Sequence, residues 1–163
     1  MKKALTITAV LSWVNLVFNG IFTLLFLIWW AMTHNSAMLI IIVLTGGVIL
    51  HSYAALQLRK NILHPEIPFN RQTTPVGIRI MGFLALFFGL MLVSQAIYNL
   101  QHTAELLKNM PEMPELKNLD RTAILRASGI FTLILGAAIS VNVFLNFRIL
   151  RWYILSLEDG ANQ

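Results

Sequence analysis

Ser12, Asn15, Asn19 and Thr23 recur at steps of three and four residues inside an otherwise apolar run. On a helix that spacing puts all four on one stripe. Hydroxyls and carboxamides are hydrogen-bonding groups, so the chemistry open to this stripe is recognition rather than acid–base work. It reads either as a polar path or ligand cleft between helices, or as interhelical contacts often worth only about 0.6 kcal/mol each. The second reading is favoured, because membrane bundles commonly use such groups as packing contacts. Asn142 and Asn146 form a similar pair in a later run, beside a stripe of Thr132, Gly136 and Ser140. His51 is the one titratable group well inside a run, and no Asp or Glu lies in any run to partner it as a proton relay. A neutral imidazole bonded to Asn, Ser or a backbone carbonyl is expected. Together, Ser12, Asn15, Asn19, Thr23, His51, Asn142 and Asn146 are the candidate intramembrane polar cluster.

Catalytic constellations are missing from the sequence. There is no cysteine, which excludes disulfides, thiolate metal sites and cysteine nucleophiles. His34 and His102, even joined by Glu105, make a poor metal site. No phosphate loop, nucleophile–base arrangement or pair of membrane carboxylates is present. The expectation is a non-enzymatic protein with no catalytic residue, cofactor or metal.

The elements that must position these groups are long apolar helices. The chain of 163 residues is 57% hydrophobic and 12% charged, against about 25% charged in ordinary soluble domains. One soluble core of this size cannot hide so much apolar surface, whereas a bilayer solvates it. Four apolar runs predict an all-α integral membrane protein, one domain over 1–163, with helices over about 4–32, 37–59, 76–104 and 121–153. Each is long enough, at about 1.5 Å per residue, to cross roughly 30 Å of hydrocarbon in an up-down-up-down bundle. The first run follows Lys2 and Lys3, but it is longer than a signal peptide's apolar region and no Ala-x-Ala site follows, so it reads as an uncleaved helix. Ser36 or Asn35 is suited to cap the second helix. Pro65, Pro68 and Pro75 mark an inner loop over 60–75, with Pro75 placed for the first turn of helix three. The outer loop, 105–120, follows a bend.

Charge gives these helices a direction. Lys2, Lys3, Arg59, Lys60, Arg71, Arg79, Arg148 and Arg151 fall on the side of the termini, against Lys108, Lys117, Arg121 and Arg126 on the other. The positive-inside rule then puts both termini in the cytoplasm, with the bacterial inner membrane as the expected location. Arg126 is expected to snorkel or to pair with Asp120 or Glu105. Gly82 and Gly89 in helix three, and Gly129 and Gly136 in helix four, are each seven apart, a spacing that lets two backbones approach along a left-handed seam. Gly46 and Gly47 are suited to do the same for helix two. Gly47 to Arg59 and Gly136 to Arg148 have equal spacing, which reads either as two repeated helical hairpins or as coincidence.

Leu58-Arg59-Lys60, Pro68-Phe69 and Arg79-Ile80-Met81-Gly82 resemble the bacterial membrane family catalogued as domain of unknown function twenty-nine seventy-five. The motif likeness spans about residues 56–90, and length and topology agree over the whole chain. Asn70 to Pro75 departs from the family in carrying Arg71 alone and no acidic residue. The resemblance implies four crossings, no known chemistry, and association with a small helix-turn-helix regulator.

Two functions from different classes are expected. In the first, the protein acts through protein contact, with Arg59, Lys60, Arg71 and Arg79 as an inner docking loop for a cytoplasmic partner such as a regulator. In the second, it is a subunit of an oligomeric transporter or channel that uses the polar cluster. The bilayer is the certain partner, a homo-oligomer is compatible with both, and direct nucleic-acid binding is not expected.

Overall fold

The computed structural model describes residues 2–64, 73–109 and 120–161. The described residues form five helices in order: α1 (Lys2–Thr33), α2 (Ala37–Leu63), α3 (Thr73–Gln101), α4 (Thr103–Asn109) and α5 (Arg121–Ala161). Four of them, all but α4, are long and apolar enough to cross a membrane. The architecture is an all-α up-down-up-down bundle. Neighbours around it are α1–α2, α2–α3, α3–α5 and α5–α1, so α1 and α3 occupy opposite corners. The α3–α5 contact is the most extensive and α1–α5 the least.

Packing follows from this ring. One apolar cluster joins Leu44 and Val48 of α2, Ala85 and Phe88 of α3, and Ile139 and Val143 of α5. A second, nearer the termini, joins Leu5, Leu58, Ile78, Ile149 and Leu150. Large apolar side chains such as Trp13, Leu24, Ile40, Phe83 and Ile134 point outward, which only a lipid environment makes cheap.

Four element ends differ from the sequence reading, the first being α3, which begins at Thr73 inside the expected inner loop and not at 76. Helix α2 continues past Arg59-Lys60 to Leu63, because nothing before Pro65 breaks it. The segment after Tyr98 bends at His102 and restarts as the short α4 rather than running on to 104. Helix α5 does not stop at 153. It continues to Ala161 through Leu155, Ser156, Leu157 and Glu158, where neither glycine nor proline intervenes until Gly160. Its 41 residues make a rod of about 60 Å, roughly twice the hydrocarbon thickness.

Helix starts are capped locally. Ser36 makes no side-chain cap bond; Asn35 Oδ1 instead accepts from the Ala37 amide at 3.0 Å. Asp120 Oδ1 accepts from the amides of Thr122 and Ala123 at 2.9 and 3.2 Å, so this carboxylate caps α5.

Close backbone approach is concentrated between α3 and α5. A Cβ added to Gly136 would lie 2.8 Å from the Gly89 carbonyl oxygen, and one added to Gly89 would lie 3.1 Å from the Gly136 oxygen. Gly82 meets the ring of Phe147, and Gly129 meets Leu100. Gly47 faces Leu84, while Gly46 has open space around it.

Candidate functional site

The polar stripe of α1 points into the bundle. Ser12, Asn15, Asn19, Asn142 and Asn146 are all buried, none more than 2% exposed. Ser12 Oγ donates to Asn142 Oδ1 at 3.2 Å, which ties α1 to α5. Asn146 Nδ2 donates to the Asn142 carbonyl oxygen at 2.8 Å and to Asn142 Oδ1 at 3.0 Å. With two donors on its oxygen, the Asn142 amide is held in one orientation, and its Nδ2 has no partner. Higher on α1, Asn19 Nδ2 donates to the Asn15 carbonyl oxygen at 2.9 Å. Both Asn15 Oδ1 and Asn19 Oδ1 lack a partner.

The other members of the sequence-derived cluster go elsewhere. Thr23 Oγ1 donates across to Thr45 Oγ1 of α2 at 2.8 Å. His51 hydrogen-bonds to none of the asparagines. Its Nδ1 lies 3.2 Å from the Ile78 carbonyl oxygen of α3, its ring stands edge-on to Phe147, and its Nε2 has no partner. The seven residues therefore fall into four separate hydrogen-bonded groups. Ser52, adjacent to His51, is also buried with an unpartnered Oγ.

A cavity of about 330 Å³ opens between α1 and α5 in the half of the bundle away from the termini. Its deep wall is made by the buried residues Asn19, Thr45 and Phe88. Phe22, Phe26, Leu92 and Leu135 line its apolar flanks, and Ser128, Phe131 and Thr132 stand on its α5 side. Ser128 and Phe131 are exposed, so the cavity is open on its α5 side. Phe18 and Phe131 meet with ring centroids 5.9 Å apart, which closes the α1–α5 seam beside the mouth. The volume sits at the low end of the roughly 300–1,000 Å³ range of small-molecule pockets.

Two other depressions carry less. One of about 270 Å³ lies between the start of α1 and α5, at Ala4, Arg148 and Trp152. Another lies along one face of α3 alone, at Met91, Ser94, Gln95 and Tyr98.

Sequence reasoning singled out Asn19 but passed over Thr45, Phe88, Ser128 and Phe131. The usable signal was the pair Ser128 and Thr132, one turn apart on a helix whose other faces are apolar. Residues assigned to the inner docking loop are dispersed: Arg59 and Lys60 lie in the last turns of α2, Arg79 in the second turn of α3, and Arg71 outside the described residues. Arg59 Nε is buried without a partner, whereas Arg79 is exposed. Arg126 is exposed, and the Asp120 expected to pair with it serves the α5 cap instead. The His102 ring stacks on Tyr98 with centroids 4.4 Å apart, and the described residues contain no group of three or more His, Asp or Glu able to hold a metal.

No family model matches the chain, and no curated protein or solved structure matches it.

Proposed function

We propose that this chain is a non-enzymatic multi-pass membrane protein that binds a small lipophilic molecule entering sideways from the bilayer. The supporting observation is the α1–α5 cavity, apolar on its flanks and open on its α5 side. It lies at the least extensive of the four helix contacts, where the least packing must yield for a ligand to enter. Its lining is almost wholly apolar, which suits the body of a lipophilic ligand. The polar groups along α1 are closed off from solvent in this state, so a transport role would require a second conformation.

A photoactivatable lipophilic probe, added to the protein in nanodiscs, tests this reading. Label is expected in the peptide spanning 128–135, and Leu135→Trp, which fills the cavity, is expected to remove most of it. Label that is unchanged in the filled variant refutes the proposal.

A second reading rests on α5. Its last turns carry Arg151, Trp152 and Glu158, and Arg59 and Lys60 lie in the last turns of α2. That end would be a cytoplasmic docking surface, with the protein in a bacterial inner membrane and both termini inside. A cytoplasmic partner that co-purifies equally with the variant R59Q/K60Q/R151Q would refute it.

A further inference from the structure

Helix α3 carries polar side chains on a face that no described helix covers. An open depression of about 440 Å³ runs along it, lined by Met91, Ser94, Gln95 and Tyr98, all four of them exposed. A hydrocarbon layer that begins at Arg79, the exposed cation of α3, ends about 20 residues on, beside Tyr98. Ser94 and Gln95 therefore lie about one turn inside it, among lipid tails that offer neither donor nor acceptor. Their hydrogen bonds are incomplete. A helical serine or threonine ordinarily donates to a carbonyl of the preceding turn. Ser128 and Thr33, also exposed, do so at 2.9 Å each. Ser94 donates to no described residue. Gln95 Nε2 donates to Asn99 Oδ1 at 2.8 Å, which leaves one N–H and Oε1 without a described partner.

The spacing of these groups makes the face complementary to itself. At about 100° per residue, Met91 and Tyr98 define one line along α3, and Ser94 and Gln95 stand about 50° to either side of it at almost the same height. Phe87 and Ile80, both exposed, carry the line toward the other end of the helix. When two parallel helices meet along such a line about a two-fold axis, the left flank of each faces the right flank of the other. Ser94 of each chain then faces Gln95 of the other. The serine hydroxyl supplies a proton for Oε1, and the remaining carboxamide N–H supplies one for Oγ, so donors and acceptors match in number.

We infer that this face of α3 is where a second copy of the chain docks, in the same orientation, with Met91 and Tyr98 on the seam and reciprocal Ser94–Gln95 hydrogen bonds on its flanks. The inference does not rest on the lipophilic-binding reading above, whose cavity lies between α1 and α5. Serine is small enough to let the two backbones approach, and polar groups of this kind hold membrane helices together.

Subunit counting by single-molecule photobleaching, on the full chain in liposomes over a series of protein-to-lipid ratios, tests this. The unsubstituted chain is expected to pass from monomer to dimer as the ratio rises. Gln95→Leu and Ser94→Ala are each expected to need about tenfold more protein per lipid, the factor two such hydrogen bonds supply. Gln57→Leu is the matched change on α2, where the carboxamide donates to Tyr53 at 2.9 Å, and is expected to leave the midpoint unchanged. Because the chain has no cysteine, Met91→Cys and Ile134→Cys place single thiols on the α3 line and on an exposed position of α5. Oxidation in the same liposomes is expected to link Met91→Cys into dimers and to leave Ile134→Cys unlinked. A chain that stays monomeric at every ratio overturns the proposal, and that measurement needs no variant to fold. Linkage through Ile134→Cys in place of Met91→Cys overturns it as well, as does a midpoint that Gln95→Leu moves no further than Gln57→Leu.

Discussion

Replacing Gly136 with alanine probes the tightest point of the bundle. The new Cβ would sit 2.8 Å from the Gly89 carbonyl oxygen and 3.0 Å from Leu92 Cβ and Val93 Cγ2. A side chain can rotate away, but a helical carbonyl yields only if α3 and α5 separate. Overpacking of this kind costs about 1–3 kcal/mol, and a backbone contact belongs at the upper end. Alanine's helix propensity returns about 0.8–1.0 kcal/mol, leaving a net loss of about 2 kcal/mol. Gly46→Ala is the matched control, since a Cβ there meets nothing within 4 Å; it keeps the propensity gain and is expected to be neutral or stabilising by up to about 1 kcal/mol. The two variants should thus differ by about 3 kcal/mol. Reversible unfolding in mixed micelles, followed by fluorescence of the four tryptophans, measures it. Variants within about 0.5 kcal/mol of each other would show that the α3–α5 approach does not limit stability.

Four further outcomes are expected. In a double-mutant cycle, Ser12→Ala and Asn142→Ala should couple by about 0.6 kcal/mol, read by the same unfolding assay; additivity would remove the α1–α5 hydrogen bond from the account. Asn35→Ala should cost about 1 kcal/mol and Ser36→Ala almost nothing, because only Asn35 caps α2. Leu155→Pro should abolish amide-exchange protection beyond Leu155 while the unfolding midpoint stays put, since the part of α5 after Ile154 lies beyond both core clusters; a shifted midpoint would mean that the extension supports the bundle. Because the chain has no cysteine, Asn35→Cys and Glu158→Cys can be labelled singly, and a membrane-impermeant maleimide should reach Asn35→Cys from outside and Glu158→Cys only after lysis. The reverse pattern would invert the proposed orientation.

The helices were legible because their signal is local. Four long apolar runs have one economical solution in a bilayer, and prolines and short polar turns mark where each run stops. The α5 extension was harder to read, since Arg148 to Tyr153 looks like an interface and therefore like an end. A basic-aromatic belt shows where a helix leaves lipid, not where its hydrogen bonds cease. The burial of Asn15 and Asn19 followed from their spacing. Their partners did not, because these depend on the rotation and depth of α1 against α5. Thus Ser12 reaches Asn142 while Thr23, on the same stripe, reaches Thr45 of the other neighbour. His51 was grouped with the asparagines by chemistry, yet its place on α2 turns it to Ile78.

The contrast between the two sides of α5 explains why a cavity forms where it does. Toward α3, Gly89 and Gly136 let the backbones touch, and Leu92, Ile139 and Val143 fill the space around them. Toward α1, the contact is less extensive and the Phe18 and Phe131 rings meet across the seam. Polar groups then make that gap directional. Ser12 and Asn142 draw α1 and α5 together near one end, while Asn19 and Phe22 line the cavity toward the other. Its flanks are apolar and its α5 side is open, so under the proposed function a lipophilic ligand supplies there the packing that the glycines supply between α3 and α5.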